Sequence, residues 1–169
     1  MNEPDDRGYY PLHMACQEGR INIVKLLIEN GVNLDAKDDN GHGEPALLRA
    51  VGAGHLRIVN YLIKRGCDVN ERRNGGGDTP LHIACGWGHL KQAVVLLRAG
   101  ADIDALDDEK RTPVYYAVTQ GHIEIVDFMF KKGCLEVNNT RKRNVLIHIA
   151  EKNNDKKMLR LLKVKRVRP

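Results

Sequence analysis

Seven histidines and four cysteines are the residues of this 169-residue chain best suited to chemistry. Imidazoles bind metal ions and act as general bases, whereas a thiolate is a nucleophile. The chain contains no serine, which excludes a serine nucleophile with its triad. Six of the histidines fall into two sets, namely His13, His82 and His148, and then His55, His89 and His122. Whether any of these residues forms a site depends on the elements that position them.

One stretch of the chain, Gly77 to His89, recurs four more times in less complete form. It reads Gly-Asp-Thr-Pro-Leu-His-Ile-Ala-Cys-Gly-Trp-Gly-His. One series of glycines is spaced by 35, 34 and 33 residues: Gly19, Gly54, Gly88 and Gly121. A second series has the same three spacings: Gly31, Gly66, Gly100 and Gly133. Because the spacing changes in the same way in both series, the glycines indicate a repeat of about 33 residues, with insertions between the copies.

Each complete copy predicts two short helices. Thr79 is a suitable N-cap, and Pro80 suits the first helical position because its missing N–H costs nothing there. Gly88 is expected to end this helix in the left-handed conformation. A second helix follows, with apolar residues three and four apart at Leu90, Ala93, Leu96 and Leu97. Because neither helix is long enough to be stable alone, the copies are expected to stack.

The Thr-Pro-Leu-His-x-Ala signature at this period resembles the ankyrin repeat. The resemblance covers nearly the whole chain and implies an all-α fold, a solenoid of about five helix–turn–helix repeats joined by β-turn or hairpin-like loops. We expect a single ankyrin-repeat domain over residues 1–169, with repeats at about 5–36, 37–70, 71–106, 107–137 and 138–169. The last copy has lost its proline and glycines, and its basic amphipathic second helix is typical of a C-terminal cap.

The repeat assigns the chemically suited residues to structural positions. Equivalent histidines of stacked repeats are expected roughly 8–10 Å apart, too far to share a metal ion bound at about 2 Å. We therefore expect the histidines to hydrogen-bond the turns between repeats. Each cysteine replaces a small residue of the repeat pattern, which predicts packed, reduced thiols at Cys16, Cys67, Cys85 and Cys134. No metal, cofactor or enzymatic activity is expected.

The distribution of charge and hydropathy restricts the class of protein to which the chain can belong. Residues 131–169 hold 13 Lys or Arg and 3 acidic residues, whereas residues 1–130 hold 14 and 19. No apolar run approaches the length of a membrane span, and the N-terminal residues are too acidic for a signal peptide. These features predict an intracellular protein, cytoplasmic or nuclear, without a membrane span.

The resemblance implies that partners bind the concave side of the array. This predicts a non-catalytic, monomeric module that binds another protein or a peptide in its groove. The candidate contact residues are Trp87, Tyr116, Arg49, Tyr9, Glu18, Arg111 and Gln120. Trp87 is the most informative, because the other copies carry Glu, Ala, Gln and Asn at its position. An exposed aromatic residue there is typical of an interaction hot spot; the alternative is a tryptophan that folds back over a turn between repeats.

The basic C-terminal third supports a second hypothesis, the binding of nucleic acid or another acidic surface by phosphate neutralisation. The cations concerned are Arg141, Lys142, Arg143, Lys163, Lys165, Arg166 and Arg168. They lack interleaved aromatic residues for stacking on bases, and a basic last helix is also compatible with a solvated cap. The sequence therefore favours the protein-binding groove over nucleic-acid binding.

Overall fold

The computed structural model describes residues 10–34, 36–37, 43–134 and 139–164. The regular elements within these ranges are ten α-helices. They are α1 (Pro11–Gln17), α2 (Ile21–Glu29), α3 (Ala46–Gly52), α4 (Leu56–Lys64), α5 (Pro80–Gly86), α6 (Leu90–Arg98), α7 (Pro113–Thr119), α8 (Ile123–Lys131), α9 (Thr140–Lys152) and α10 (Lys156–Val164). The all-α prediction is confirmed. In these described ranges no helix combines the length and the apolar character that a membrane crossing needs.

The helices pair into five helix–turn–helix units that stack in two rows. The first helices of the units pack against one another (α1, α3, α5, α7 and α9), and the second helices form the other row. The loop before α5 is a hairpin-like turn in which the N–H of Arg73 donates to the carbonyl of Asp78 at 3.0 Å. An antiparallel bridge joins Lys37 and Pro45 in the loop before α3. The predicted solenoid with hairpin-like loops is confirmed.

The core lies between the two rows of helices. Alanines at equivalent positions of the first helices are completely buried, as at Ala50, Ala84 and Ala117. Larger residues of the second helices fill the space opposite them, for example Leu62 and Leu96. A seven-residue helix is too short to be stable in isolation, so burial against its neighbours supplies its stability.

Both glycine series follow helices in the left-handed region, as their spacing predicts. Their φ angles run from 73° at Gly19 to 94° at Gly100. In the fifth repeat, Asn154 takes the equivalent position with a φ of 53°. Asparagine visits this region more readily than most other residues with a side chain. A third left-handed position lies in the turn before the first helix, at Gly43, Gly77 and Lys110.

Replacing Lys110 with glycine should raise the free energy of unfolding by about 0.5–1 kcal/mol. Lys110 has a φ of 64°, a backbone conformation that its Cβ disfavours. The gain is smaller than the full strain, because glycine loses more conformational entropy on folding. Urea denaturation measures the change. Lys110→Ala keeps the Cβ, so an equal gain from alanine would contradict backbone strain as the cause.

The first helix of the fifth repeat is longer than the sequence pattern indicates. The repeat pattern is recognisable from Val145 onward, but α9 begins at Thr140 and has 13 residues, compared with 7 in α7. The side chain of Asn139 caps α9, since its Oδ1 accepts the N–H of Lys142 at 3.0 Å. Because this repeat has no Thr-Pro pair, an earlier cap residue sets the start of the helix.

Candidate partner-binding surface

Three histidines link neighbouring repeats through backbone carbonyls. In each pair Nε2 of the histidine faces a carbonyl oxygen at the end of the first helix of the preceding repeat. The pairs are His55–Gln17 at 3.0 Å, His89–Gly52 at 3.4 Å and His122–Gly86 at 3.0 Å. A carbonyl oxygen only accepts, so Nε2 is the donor in each pair. The prediction that these histidines hydrogen-bond between repeats is confirmed.

His82 connects repeats three and four from within the core. Its Nδ1 accepts the backbone N–H of Thr79 at 3.1 Å and lies 2.9 Å from the Thr79 hydroxyl. Its Nε2 donates to the carbonyl of Arg111 at 3.1 Å. Burial lowers the pKa of His82 and outweighs the Arg111 carbonyl and the nearby carboxylates, which favour the charged ring. A neutral ring with its hydrogen on Nε2 fits all of these contacts and ties the two repeats together.

The four cysteines are buried thiols. Burial raises the pKa of Cys16 and of Cys85 well above the ordinary value, and a neighbouring cysteine adds to each shift. A thiol that stays protonated is a poor nucleophile. In the part of the chain that the structure describes, no three or more His, Cys, Asp or Glu residues are grouped to hold a metal ion. The cysteines therefore act as packing residues.

Trp87 projects from the surface at the end of α5. It is the C-cap residue of that helix, and it is 67% exposed. It lines a groove of about 360 Å³ across α1, α3 and α5, together with Gln17, Gly52 and Ile83. This groove is called the Trp87 groove below. The exposure of Trp87 argues against the alternative of a side chain folded back over a turn.

Arg49 lines the same groove, but its guanidinium group is bonded to other residues of the array. Its Nε donates to Oε2 of Glu44 at 2.7 Å, and its Nη1 donates to Oε1 of Gln17 at 3.4 Å. The side chains of Arg49 and Glu44 are each 16% exposed. Arg73, at the same groove, pairs with Asp78. The rim of the Trp87 groove is therefore close to neutral, because its cations are paired with acids of the array.

Tyr116 belongs to a hydrogen-bonded network between the turns of repeats three and four. Its hydroxyl lies 2.7 Å from Oδ2 of Asp107 and 2.9 Å from Oδ1 of Asp78, so the two carboxylates share its single hydrogen. The hydroxyl oxygen accepts Nη2 of Arg111 at 2.8 Å. Arg111 also donates to Asp107 at 2.7 Å and pairs with Glu109 at 2.8 Å. The sequence placed Tyr116 and Arg111 on an open contact surface, but the structure engages their polar groups within the array.

The network holds Asp107 as a carboxylate. Burial by itself would raise the pKa of Asp107, but hydrogen bonds from Arg111 and Tyr116 outweigh it and keep that pKa below its ordinary value. Burial raises the pKa of Tyr116, and the carboxylates of Asp107 and Asp78 raise it further. At neutral pH the network therefore contains an ionised Asp107 and a protonated phenol.

Acid should destabilise the array through Asp107. A carboxyl group whose pKa is lower in the folded state contributes stability above its unfolded pKa of about 3.9, and this is lost as the pH falls through the folded pKa. The free energy of unfolding should therefore decline from about pH 5 downward. Asp107→Asn removes this titration, so urea denaturation across that range should give a flatter curve for the variant. Parallel curves for the two proteins would contradict the role of Asp107.

The other candidate residues of the groove lie apart from the network. Glu18 and Gln120 are exposed C-cap residues of α1 and α7, at the position that Trp87 has in α5. Glu18 lies 3.5 Å from Nε of Arg20. Tyr9 lies outside the described residues. The structure thus brings Trp87 and Arg49 into one groove, and a binding role for these residues stays a prediction.

The cations of the C-terminal third have different surroundings. Arg141 is exposed and Lys142 is half-buried, whereas the guanidinium of Arg143 lies 5.9 Å from the ring of a phenylalanine in α8. Lys163 pairs with Glu151 at 3.3 Å. Three more of the predicted cations lie outside the described residues: Lys165, Arg166 and Arg168. The described members therefore do not share one surface environment.

Comparison with known proteins places the repeat in a family. A family model for ankyrin repeats (3 copies) matches residues 1–73, 38–107 and 81–168. The probable 26S proteasome regulatory subunit p28 of Saccharomyces cerevisiae is 29% identical over 129 residues, covering 76% of this chain and 57% of that protein. The E3 ubiquitin-protein ligase KEG of Arabidopsis thaliana is 34% identical over 128 residues, covering 75% of this chain and 8% of that protein.

A third relative shares a shorter segment. The ankyrin repeat and SAM domain-containing protein 6 of Mus musculus is 40% identical over 62 residues, covering 37% of this chain and 7% of that protein. The chain spans less than two thirds of the length of each of these three relatives. The matched segments contain the repeats described above, and the family model extends over nearly all of the sequence. The chain belongs to the ankyrin-repeat family.

Proposed function

We propose that this chain is a non-catalytic module that binds a segment of a partner protein in the Trp87 groove. Ankyrin repeats are generally protein–protein interaction modules. The observation that carries the proposal is the 67% exposure of Trp87 at the end of α5. Stability does not require a tryptophan there, because Glu18, Ala53 and Gln120 occupy the same position in other repeats. Large exposed aromatic residues are enriched among the hot spots of interfaces.

The surroundings of Trp87 favour an apolar anchor on the partner. Leu48 and Ile83 line the groove, as do the small residues Gly52 and Ala53. The cations at its rim are neutralised within the array, so the groove offers little net charge. An aliphatic or aromatic side chain of the partner would bury apolar surface there, and the removal of apolar surface from water favours association.

In this proposal, residues 1–169 act as one interaction domain with five repeats. The yeast relative is named as a probable 26S proteasome regulatory subunit, and the plant relative is named as an E3 ubiquitin-protein ligase. The similarity to the ligase covers 8% of that protein, so no catalytic activity is transferred to this chain. What the relatives share with this chain is the repeat array, which supports a binding role.

Affinity capture from a cell lysate tests the proposal. Immobilised wild type should retain a specific partner, and Trp87→Ala should retain much less of it at equal loading. Ile23→Ala is the matched control, because Ile23 is an apolar residue with 49% exposure on α2, in the other row of helices. Equal capture by the wild type and Trp87→Ala would count against the Trp87 groove.

A further inference from the structure

A second cleft lies between the turn of repeat four and α9. It has a volume of about 350 Å³, and its lining includes Lys110, Tyr115, Lys142, Val145 and Leu146. None of these residues lines the Trp87 groove. This space is called the α9 cleft below.

At the α9 cleft, repeat four lacks a link to the next repeat that repeat three has. In repeat three, His82 donates to the carbonyl of Arg111 and joins its repeat to the next one. Repeat four carries Tyr115 at the equivalent position. Within the described residues the hydroxyl of Tyr115 makes no hydrogen bond. Lys142 and Val145 of α9 line the cleft on the side of repeat five.

The walls of the α9 cleft combine apolar surface with positive charge. Val145 is 50% exposed, and the next residue, Leu146, is buried. The ammonium groups of Lys110 and Lys142 form no ion pair with any described residue. The acidic residue of the lining, Glu109, is already paired with Arg111 at 2.8 Å. Among the described residues, the cleft thus has two lysines without an ion-pair partner next to an exposed aliphatic side chain.

We propose that the α9 cleft binds an acidic segment of a protein partner. An aliphatic side chain of that segment packs against Val145, and its carboxylates lie next to Lys110 and Lys142. Nucleic acid fits this arrangement less well, because phosphate binding uses longer rows of cations and base stacking needs exposed aromatic rings. The α9 cleft offers a half-buried tyrosine and this pair of lysines. Binding at the α9 cleft does not depend on the function proposed for the Trp87 groove.

Titration of the ¹⁵N-labelled protein with short synthetic peptides tests the inference. The probe is N-acetylated Gly-Glu-Leu-Glu-Glu-Leu-Gly amide, and the same peptide with glutamine in place of glutamate is its control. The glutamate peptide should shift the amide signals of Lys110, Tyr115 and Val145 and bind about fivefold or more tightly than the glutamine peptide. Lys142→Gln and Lys110→Gln should each weaken binding about two- to fivefold.

Two control variants show whether the peptide binds specifically in the α9 cleft. Lys64→Gln removes one charge from an exposed lysine of α4 and should leave the affinity unchanged. Ile23→Ala should also leave it unchanged, because Ile23 is an exposed residue of α2 that does not line the cleft. Equal affinity for the two peptides, or shifts that map elsewhere, would overturn the inference. Tighter binding of an oligothymidylate at the same residues would indicate that the cleft binds nucleic acid and not an acidic peptide. That result would also overturn the inference.

Discussion

Gln92→Met should raise the free energy of unfolding by about 1–3 kcal/mol. Gln92 lies on α6 and is 2% exposed, and neither Oε1 nor Nε2 of its side chain has a hydrogen-bond partner among the described residues. A buried amide without partners loses its hydrogen bonds to water on folding and receives nothing in exchange. The other repeats carry apolar residues at this position, and Ile58, Ile125 and Met158 are buried there. Methionine has nearly the shape of glutamine and already occupies this position in repeat five.

Urea denaturation at neutral pH measures the effect of Gln92→Met. The matched control is Lys91→Met on the exposed neighbouring position, which should change stability by less than about 0.5 kcal/mol. A loss of stability in Gln92→Met would show that the amide is satisfied, for example by a buried water molecule.

Tyr116→Phe should lower the free energy of unfolding by about 1–3 kcal/mol. The variant keeps the ring, but it removes the hydrogen that Asp78 and Asp107 share and the acceptor that faces Arg111. Asp107 is completely buried as a side chain, so losing one of its partners leaves a charge less well solvated. The variant should weaken the contact between repeats three and four, because the network spans the turns of both.

The adjacent Tyr115 provides the control for Tyr116→Phe. Tyr115 is also half-buried, but within the described residues its hydroxyl makes no hydrogen bond. Tyr115→Phe should therefore stay within about 0.5 kcal/mol of wild type. Equal losses in the two variants would contradict the network and would point to a general effect of removing a phenol.

Much of the fold could be predicted from the sequence, because the same local signals for the start and end of a helix recur in several repeats. Gly54 and Gly88 mark the ends of helices through a backbone conformation that other residues disfavour. Pro80 marks the start of a helix through its fixed φ. These are local effects that need no knowledge of distant contacts. The start of α9 at Thr140 does not follow from the repeat pattern, because its N-cap is Asn139 and not the threonine of a Thr-Pro pair.

The surface was harder to predict, since it depends on which side chains meet across repeats. The exposure of Trp87 followed from comparing equivalent positions, and the structure agrees with it. The same comparison gives no sign that Tyr116 reaches Asp78 of the preceding repeat. An acid four residues before Arg111, at Asp107, was a usable signal for an internal ion pair. Gln92 was also visible as a polar residue at a position that is apolar in the other repeats.

The most direct test is to titrate one captured partner against two variants at low and high salt. The first variant is Trp87→Ala, and the second replaces the tail cations Lys163, Lys165, Arg166 and Arg168 with glutamine. Binding in the Trp87 groove predicts that Trp87→Ala weakens the complex by more than about 1 kcal/mol. The loss should be similar at both salt concentrations, because a buried aromatic contact is not screened. Three results together would contradict binding in the groove. Trp87→Ala would leave the affinity unchanged, the variant without the four C-terminal cations would not bind, and the affinity of the wild type would fall steeply as salt rises.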